Sequence, residues 1–453
     1  MRSVISVVLL ACCGTAMGAR EEVSRDFQKS LPLAAGRGLR VEHSQGNITF
    51  HTQAKNEVAV HASIKCSADR VEEAREGCDR IKISMDESSS GVSVRTELPR
   101  GGFFEGRHTL SWAINVDVVM PETAPLEVRS TFGSVSVTDL HAPANIAVNN
   151  GSVTFIGGRG RQRIENSFGN VEVSRNDGDV TIVNSNGHVT ASDVTGALDL
   201  RDNFGEIRAS NIGKRLDVNA GNGNVTATNV GGAINISDSF GKVTVRDAKA
   251  DVTVRNQSGA VEATDVTGTA DLRTTFGAVR FSRIGKGLTV HAESSEITGD
   301  TVSGPAAVDT SFGAIDLRAV KGTARMTAQS ANVRASDIGG EVYAKTTFGG
   351  VTVEDAAGPI TVDDQSGSIS VRAKTSKKCQ PISLNTSFGP IKVAVAQGVG
   401  YDVAARVSFG QISSQLPIVV SGQVGGESLT GKIAGGGCEL KLVDQSGNID
   451  IVN

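Results

Sequence analysis

The sequence predicts an all-β chain, a parallel β-solenoid of 18-residue coils, and three observations carry that prediction. Phenylalanine recurs at Phe132, Phe168, Phe204, Phe240, Phe276, Phe312 and Phe348, six successive intervals of 36 residues, each time followed by glycine. Halfway between stand Asn150, Asn186, Asn222, Ser258, Ser294, Ser330 and Ser366 in a second copy of the same phrase, so the unit is 18 residues long. Within a unit apolar residues lie two apart, as at Val171 and Val173 and again at Val180 and Ile182, the parity of strands with one face turned to a core.

Composition agrees. A chain of 453 residues exceeds one ordinary compact core, which leaves several domains or an elongated repeat body, and the repeats select the second. Fifty-three glycines, 10 prolines and 4% aromatics suit short strands joined by tight bends, while 39% apolar residues suffice for a narrow core. The formal charge of −4 and the lack of a basic stripe argue against a nucleic-acid partner.

In chain order, residues 1–19 read as a signal peptide: Arg2, an apolar run over 4–13, then the small residues Ala16, Gly18 and Ala19. The run is too short to span a bilayer, and no transmembrane segment is expected in the mature chain. Leu9, Leu10, Ala11 and Cys12 approach the bacterial lipoprotein box, which makes Cys12 a candidate for lipidation and a lipid anchor. The expected location is outside the cytoplasm: periplasm, cell surface or medium, free or as a membrane-anchored lipoprotein. Cys66, Cys78, Cys379 and Cys438 then remain in an oxidising compartment. Cys66 and Cys78 are a candidate disulfide pinning a helix to a sheet, with two buried free thiols as the other reading. Cys379 and Cys438 lie in late coils several rungs apart, where only flexible insertions would let them meet.

Residues 20–129 are not repetitive and are read as an N-terminal β-rich cap domain closing one end of the solenoid. Strand alternation runs through Leu39, Val41, Ile48, Phe50, Val58, Val60 and Ile64. One helix is expected over about 68–79, capped by Ser67, with Val71, Ala74 and Cys78 on one face. A second strand series follows from Ile81 to Val118. Residues 130–453 form the β-solenoid repeat domain, in which coils open at glycine from Gly133 to Gly367, with Ser295 and Ala331 as exceptions. The phenylalanine column is read as a corner where large and small side chains alternate because stacked rungs lie about 4.8 Å apart, too close for ring upon ring. Beyond Gly367 the spacing stretches to 22 and 21 residues, and Gly389, Gly410, Gly431 and Gly447 are expected to open successive coils carrying inserted loops.

The phrase Leu39-Arg40-Val41-Glu42 followed by Gly46-Asn47-Ile48-Thr49, with the many Ser-Phe-Gly and Ser-Gly phrases ahead of Val-x-Val, resembles the bacterial "putative adhesin" family of unknown function over most of the exported chain. That resemblance implies a single-stranded parallel β-solenoid of the bacterial cell envelope, and right-handed winding is implied by it alone. It brings no catalytic residue.

Four constellations have residue types that could carry chemistry. Asp or Asn fills the seventh coil position at Asp139, Asp193, Asn211, Asn229, Asp247, Asp265, Asp337 and Asp355; a calcium ladder is the sharper reading and Asx turns the plainer one, favoured because Arg175, Arg283 and Ala319 share the column. Asp199 and Asp217, one coil apart with Arg201 beside the first, are where a β-helix polysaccharide lyase or hydrolase would place its carboxylates. A charge-compensated exposed ladder is the commoner explanation. Thr190, Thr226 and Thr244 suggest an ice-binding array, broken by Arg208, Glu262 and Arg280. The seven histidines have no ligand spacing, although His43 and His61 are placed to meet across paired strands, where two solvent-facing histidines are the plainer reading. No cofactor, metal site or phosphate loop is expected. The reading is therefore a non-enzymatic exported protein, an adhesin or envelope surface protein binding polysaccharide or another envelope protein. The alternatives are the lyase or hydrolase and an envelope structural scaffold.

Overall fold

A computed structural model of the chain describes residues 20–99, 110–374, 378–421 and 427–453, so the leader and Cys12 lie outside the described residues. Two units are distinguished, Met1–Asn222 and Gly223–Asn453. Both are parallel β-solenoid. Each regular coil supplies a leading strand after the corner glycine and a trailing strand that ends on phenylalanine or its small counterpart, as in Val171–Asn176 and Val180–Asn186.

In the first unit residue i pairs with i+18, which stacks like on like: Val153, Val171, Val189 and Ile207 in the leading sheet, Ile146, Ile164, Ile182, Leu200 and Val218 in the trailing one. These side chains are buried. Each is worth about 1.5–3 kcal/mol of burial. Two bends complete a coil. At the glycine corner the approach to the previous rung excludes any side chain: a Cβ on Gly169, at φ +135°, would lie 2.2 Å from the Gly151 carbonyl oxygen. The other bend is a single left-handed residue, Asp139, Arg175, Asp193 or Asn211, at φ 53–55°. Asn and Asp enter that basin most easily, which accounts for their recurrence.

The start of this unit is not laid down in chain order. Glu21–Pro32 pairs antiparallel with Glu57–Ala68, which pairs antiparallel with Ser111–Pro121; the latter is parallel to Ile48–Gln53, which in turn pairs with Val135–Thr138. The trailing sheet follows suit: Lys82–Ser88 against Gly91–Glu97, then Gly38–Gln45, then Leu126–Phe132. The helix is Val71–Arg80, packed on Glu57–Ala68 and Glu21–Pro32. It starts later than the sequence suggests, because Ser67 and Ala68 remain in the strand; Arg70 is the N-cap and makes no side-chain cap bond. Its buried face is Ala74, Gly77 and Cys78, with Val71 only partly covered. Cys66 and Cys78 are joined by a disulfide that ties this helix to its strand.

The second unit continues with the same register to Ile360–Ser366 and, up to a shift between Glu354 and Ala356, to Ile369–Ala373. Ser295 and Ala331 turn its glycine corner without a positive φ. Beyond that the expected succession of coils is wrong. Trailing strand Ile382–Phe388 pairs not with Tyr401–Phe409 but with Cys438–Ser446, and Tyr401–Phe409 lies on the far side of that strand. The leading sheet repeats the exchange, with Ile449–Val452 between Ile391–Ala394 and Ile412–Ser414. Gly431 opens no coil; it lies in Ser428–Ile433, which runs antiparallel to Tyr401–Phe409 and to Ile418–Val420. The intercalation brings Cys379 and Cys438 together as a disulfide with Cα atoms 5.7 Å apart, so no flexible insertion is needed.

Candidate functional site

The phenylalanine column is the most regular feature of the surface. Along a trailing strand the first, third and fifth residues point inward, as Ala270, Leu272 and Thr274 do before Phe276. Strict alternation would turn the seventh inward too. The chain bends first, and the fifth residue fills the corner and caps its backbone: the hydroxyls of Thr274, Thr310 and Thr346 donate to the carbonyls of Phe276, Phe312 and Phe348 at 3.0–3.3 Å. The ring is left outside. Every column phenylalanine from Phe132 to Phe388 is 52–58% exposed, and Phe409 is 77% exposed. The large-on-small alternation at this corner is kept in the register, and the rings that it spaces lie outside the core.

In the second unit the register gives the order Phe240, Ser258, Phe276, Ser294, Phe312, Ser330, Phe348, Ser366, Phe388, Ser446, Phe409. The intercalated strand supplies Ser446 and so keeps Phe388 and Phe409 from adjacent rungs. The first unit shows Gln45, Phe132, Asn150, Phe168, Asn186, Phe204 and Asn222 in the same way. Successive rings are two rungs apart, about 9.6 Å.

A groove runs beside the column in each unit, over the fourth to sixth strand positions. That of the second unit, about 510 Å³, is lined among others by Arg255, Gln257, Arg273, Thr275, His291 and Glu293. Arg273 pairs with Asp271 and His291 with Asp309, whereas Arg255 has no ion-pair partner among the described residues. The groove of the first unit, about 1010 Å³, is bordered by Glu42, Arg95 and Arg129 and floored in part by buried His43. Ring atom Nε2 of His43 is 3.1 Å from the Ile114 carbonyl and Nδ1 is 3.0 Å from the Thr96 hydroxyl. Since a carbonyl only accepts, Nε2 carries the proton and Nδ1 accepts from Thr96. Burial holds His43 below its ordinary pKa, so it is a neutral structural group. His61 lies in Glu57–Ala68 of the other sheet, so the two histidines do not meet, and the plainer reading of two solvent-facing histidines holds for exposed His61 and fails for buried His43.

The inward fifth position is a polar column that the sequence reading passed over. It holds Asn166, Asn184 and Asp202 in the first unit and Asp238, Asn256, Asp364 and Asp444 in the second, all at most 5% exposed. Asn256 donates to the Gly241 carbonyl at 2.9 Å, and Asn184 donates to Asp202 at 3.1 Å. Burial pushes Asp238 and Asp364 up to about 6, partly offset by nearby corner amides, and raises Asp202 and Asp444 likewise. The signal was present: the residue two before Phe-Gly, such as Asp238 before Ser239-Phe240, is polar at an inward parity.

Of the other candidates, Asp199 and Asp217 are adjacent in register. Their cation is Arg215, not Arg201: its Nη2 is 3.0 Å from both Asp199 oxygens and its Nη1 bonds Asp217. The two aspartates are half-buried on the outer face of paired strands, and Arg215 lies exposed just before the second of them. The seventh-position column is the left-handed bend, where Asn211 donates to Asp193 at 2.8 Å and Arg283 pairs with Asp265. Among the described residues no group of three or more His, Cys, Asp or Glu could hold a metal ion, and no helix is long and apolar enough to cross a membrane.

No protein-family model matches the chain, and no curated protein is similar to it. Solved structures to which it is similar include a "putative cell adhesion protein" from Clostridium sporogenes, at 7% identity and a TM-score of 0.16, covering 95% of this chain and 99% of that one. Another is a "putative adhesin" from Parabacteroides distasonis, at 11% identity and a TM-score of 0.19, covering 81% of this chain and 96% of that one.

Proposed function

We propose that the chain is an exported, non-enzymatic adhesin or envelope surface protein that holds an extended polymer, polysaccharide or protein, along one flank of its coils. The observation that carries this reading is the exposed phenylalanine column with a polar groove beside it, repeated in both units. Soluble chains have little reason to keep rings in water at a fixed stride, and exposed apolar rows rimmed by polar groups mark interaction surfaces. On this reading residues 1–19 direct export, with Cys12 as a lipid anchor if the leader is cut before it, and residues 20–129 cap the repeat domain 130–453.

The lyase or hydrolase alternative draws no support from Asp199 and Asp217, since Arg215 occupies both carboxylates on an open face. The test is incubation of residues 20–453 with a panel of cell-surface polysaccharides, recording retention and products together. Retention without new products is expected. Shortened or unsaturated oligosaccharides would overturn the reading.

A further inference from the structure

We infer that the phenylalanine column of the second unit is a stacking ladder for an unsubstituted β-1,4-linked glucan, which it reads at every second sugar. The inference rests on the binding function proposed above and names its ligand. In a flat β-1,4 ribbon successive pyranose rings face opposite ways, so rings presenting the same C–H face recur once per disaccharide. The ladder has that form. Its rings recur every second rung, at a stride of about 9.6 Å that closely matches one disaccharide, and the rung between carries only a serine. A ring at every rung would meet sugars whose faces are turned away.

Three further observations narrow the occupant. In-register parallel pairing keeps the rings in one continuous column over many rungs, so a tightly coiling chain, such as an α-1,4 or β-1,3 glucan, cannot follow it ring by ring. The rungs between the rings carry the uncharged, half-buried to exposed side chains of Ser258 and Ser294, which leave a sugar lying over them unobstructed. The groove alongside offers both signs, Arg255 against Glu293, together with Gln257 and Thr275, which suits neutral hydroxyls rather than a polyanion. A second copy of the chain is a poor occupant, because isolated rings separated by serines give no contiguous apolar core of the kind protein interfaces bury.

The test is calorimetric titration of residues 20–453 with cellotetraose and cellohexaose, against chitohexaose, maltohexaose and laminarihexaose. Variants are F276S, F312S and the double variant; serine holds the equivalent backbone position at Ser258, Ser294 and Ser330, so the fold tolerates it. Cellohexaose is expected to bind tightest, with a step in affinity per added disaccharide. Since Phe348, Phe388 and Phe409 remain an uninterrupted run of three rings, the double variant is expected to lower the number of cellohexaose molecules bound per chain, and serine at Phe240, Phe276, Phe312, Phe348, Phe388 and Phe409 together to abolish binding by the second unit. Equal binding of cellohexaose and maltohexaose, tighter binding of chitohexaose, or an unchanged number bound by the six-ring variant would each overturn the ladder. So would a change in self-association on sedimentation of the double variant, which would assign the column to a second copy. If another polysaccharide is retained regardless of the phenylalanines, the ladder fails and the adhesin reading survives; retention of none defeats the ladder and leaves the adhesin reading only its protein ligand.

Discussion

Replacing Asp238 by asparagine should stabilise the second unit at neutral pH and do little at pH 4. The side chain is 5% exposed, neither carboxylate oxygen has a full hydrogen-bond partner, and burial pushes its pKa up to about 6. A carboxyl whose folded pKa lies above its unfolded value binds its proton more tightly in the native state. Its stabilising contribution is therefore complete below about pH 4 and is lost as pH rises through about 6, after which the dependence is flat. Two pKa units correspond to about 3 kcal/mol at most, and access of water to the corner reduces this to about 1–2 kcal/mol. Asparagine abolishes the titration, and Asn256 one rung away shows that an amide at this position can donate to a corner carbonyl, here at 2.9 Å. Thermal melting of wild type and D238N from pH 4 to 8 reads the difference, expected to be about 2–6 °C in favour of D238N at pH 7 and to shrink towards pH 4. A constant difference across that range, or none at pH 7, would refute the reasoning.

Other perturbations follow from the same geometry. Gly259→Ala sets a Cβ 1.9 Å from the Gly241 carbonyl oxygen at φ +140°, so the denaturation midpoint should fall by the equivalent of about 3 kcal/mol or more. Removing the Cys379–Cys438 bridge with C379S and C438S together opens a loop whose ends are 59 residues apart, a loss of about 4 kcal/mol on the chain-entropy scale. Denaturant titration of the wild type and the double variant reads the loss. Asp199→Asn and Asp217→Asn remove charges from an exposed network and should change stability by less than about 1 kcal/mol, as denaturant titration would show.

The 18-residue coil was legible because it is local: apolar parity repeats within half a coil and the corner phrase once per coil, and the structure keeps that register rung after rung. What escaped the sequence was order in space. Nothing near Phe388 announces that its neighbour is Ser446 and not a residue of the next coil, since a parallel strand satisfies its ladder with any partner of matching parity. A hint lay in the column itself, because coils taken in sequence would have put Phe388 and Phe409 on adjacent rungs. The direction of the rings escaped for a different reason: the seventh residue has inward parity, and only the corner, filled by the fifth side chain, turns it outward. His43 is the converse case, a histidine whose setting is fixed by Thr96 and Ile114, distant in sequence.

Intercalation of Cys438–Ser446 between Ile382–Phe388 and Tyr401–Phe409 bears on how the second unit folds. Most coils can be added one at a time as the chain emerges, each onto the one before, with a sequence separation of a single turn. The slot between those two strands can be filled only by a segment synthesised after both of them. Vectorial growth must therefore stop at Phe388, with an open edge exposed, until the later strand arrives across a high-contact-order closure. During that interval the edge is available to the same segment of another molecule, which makes the C-terminal side of the second unit the place where exchange between chains would begin.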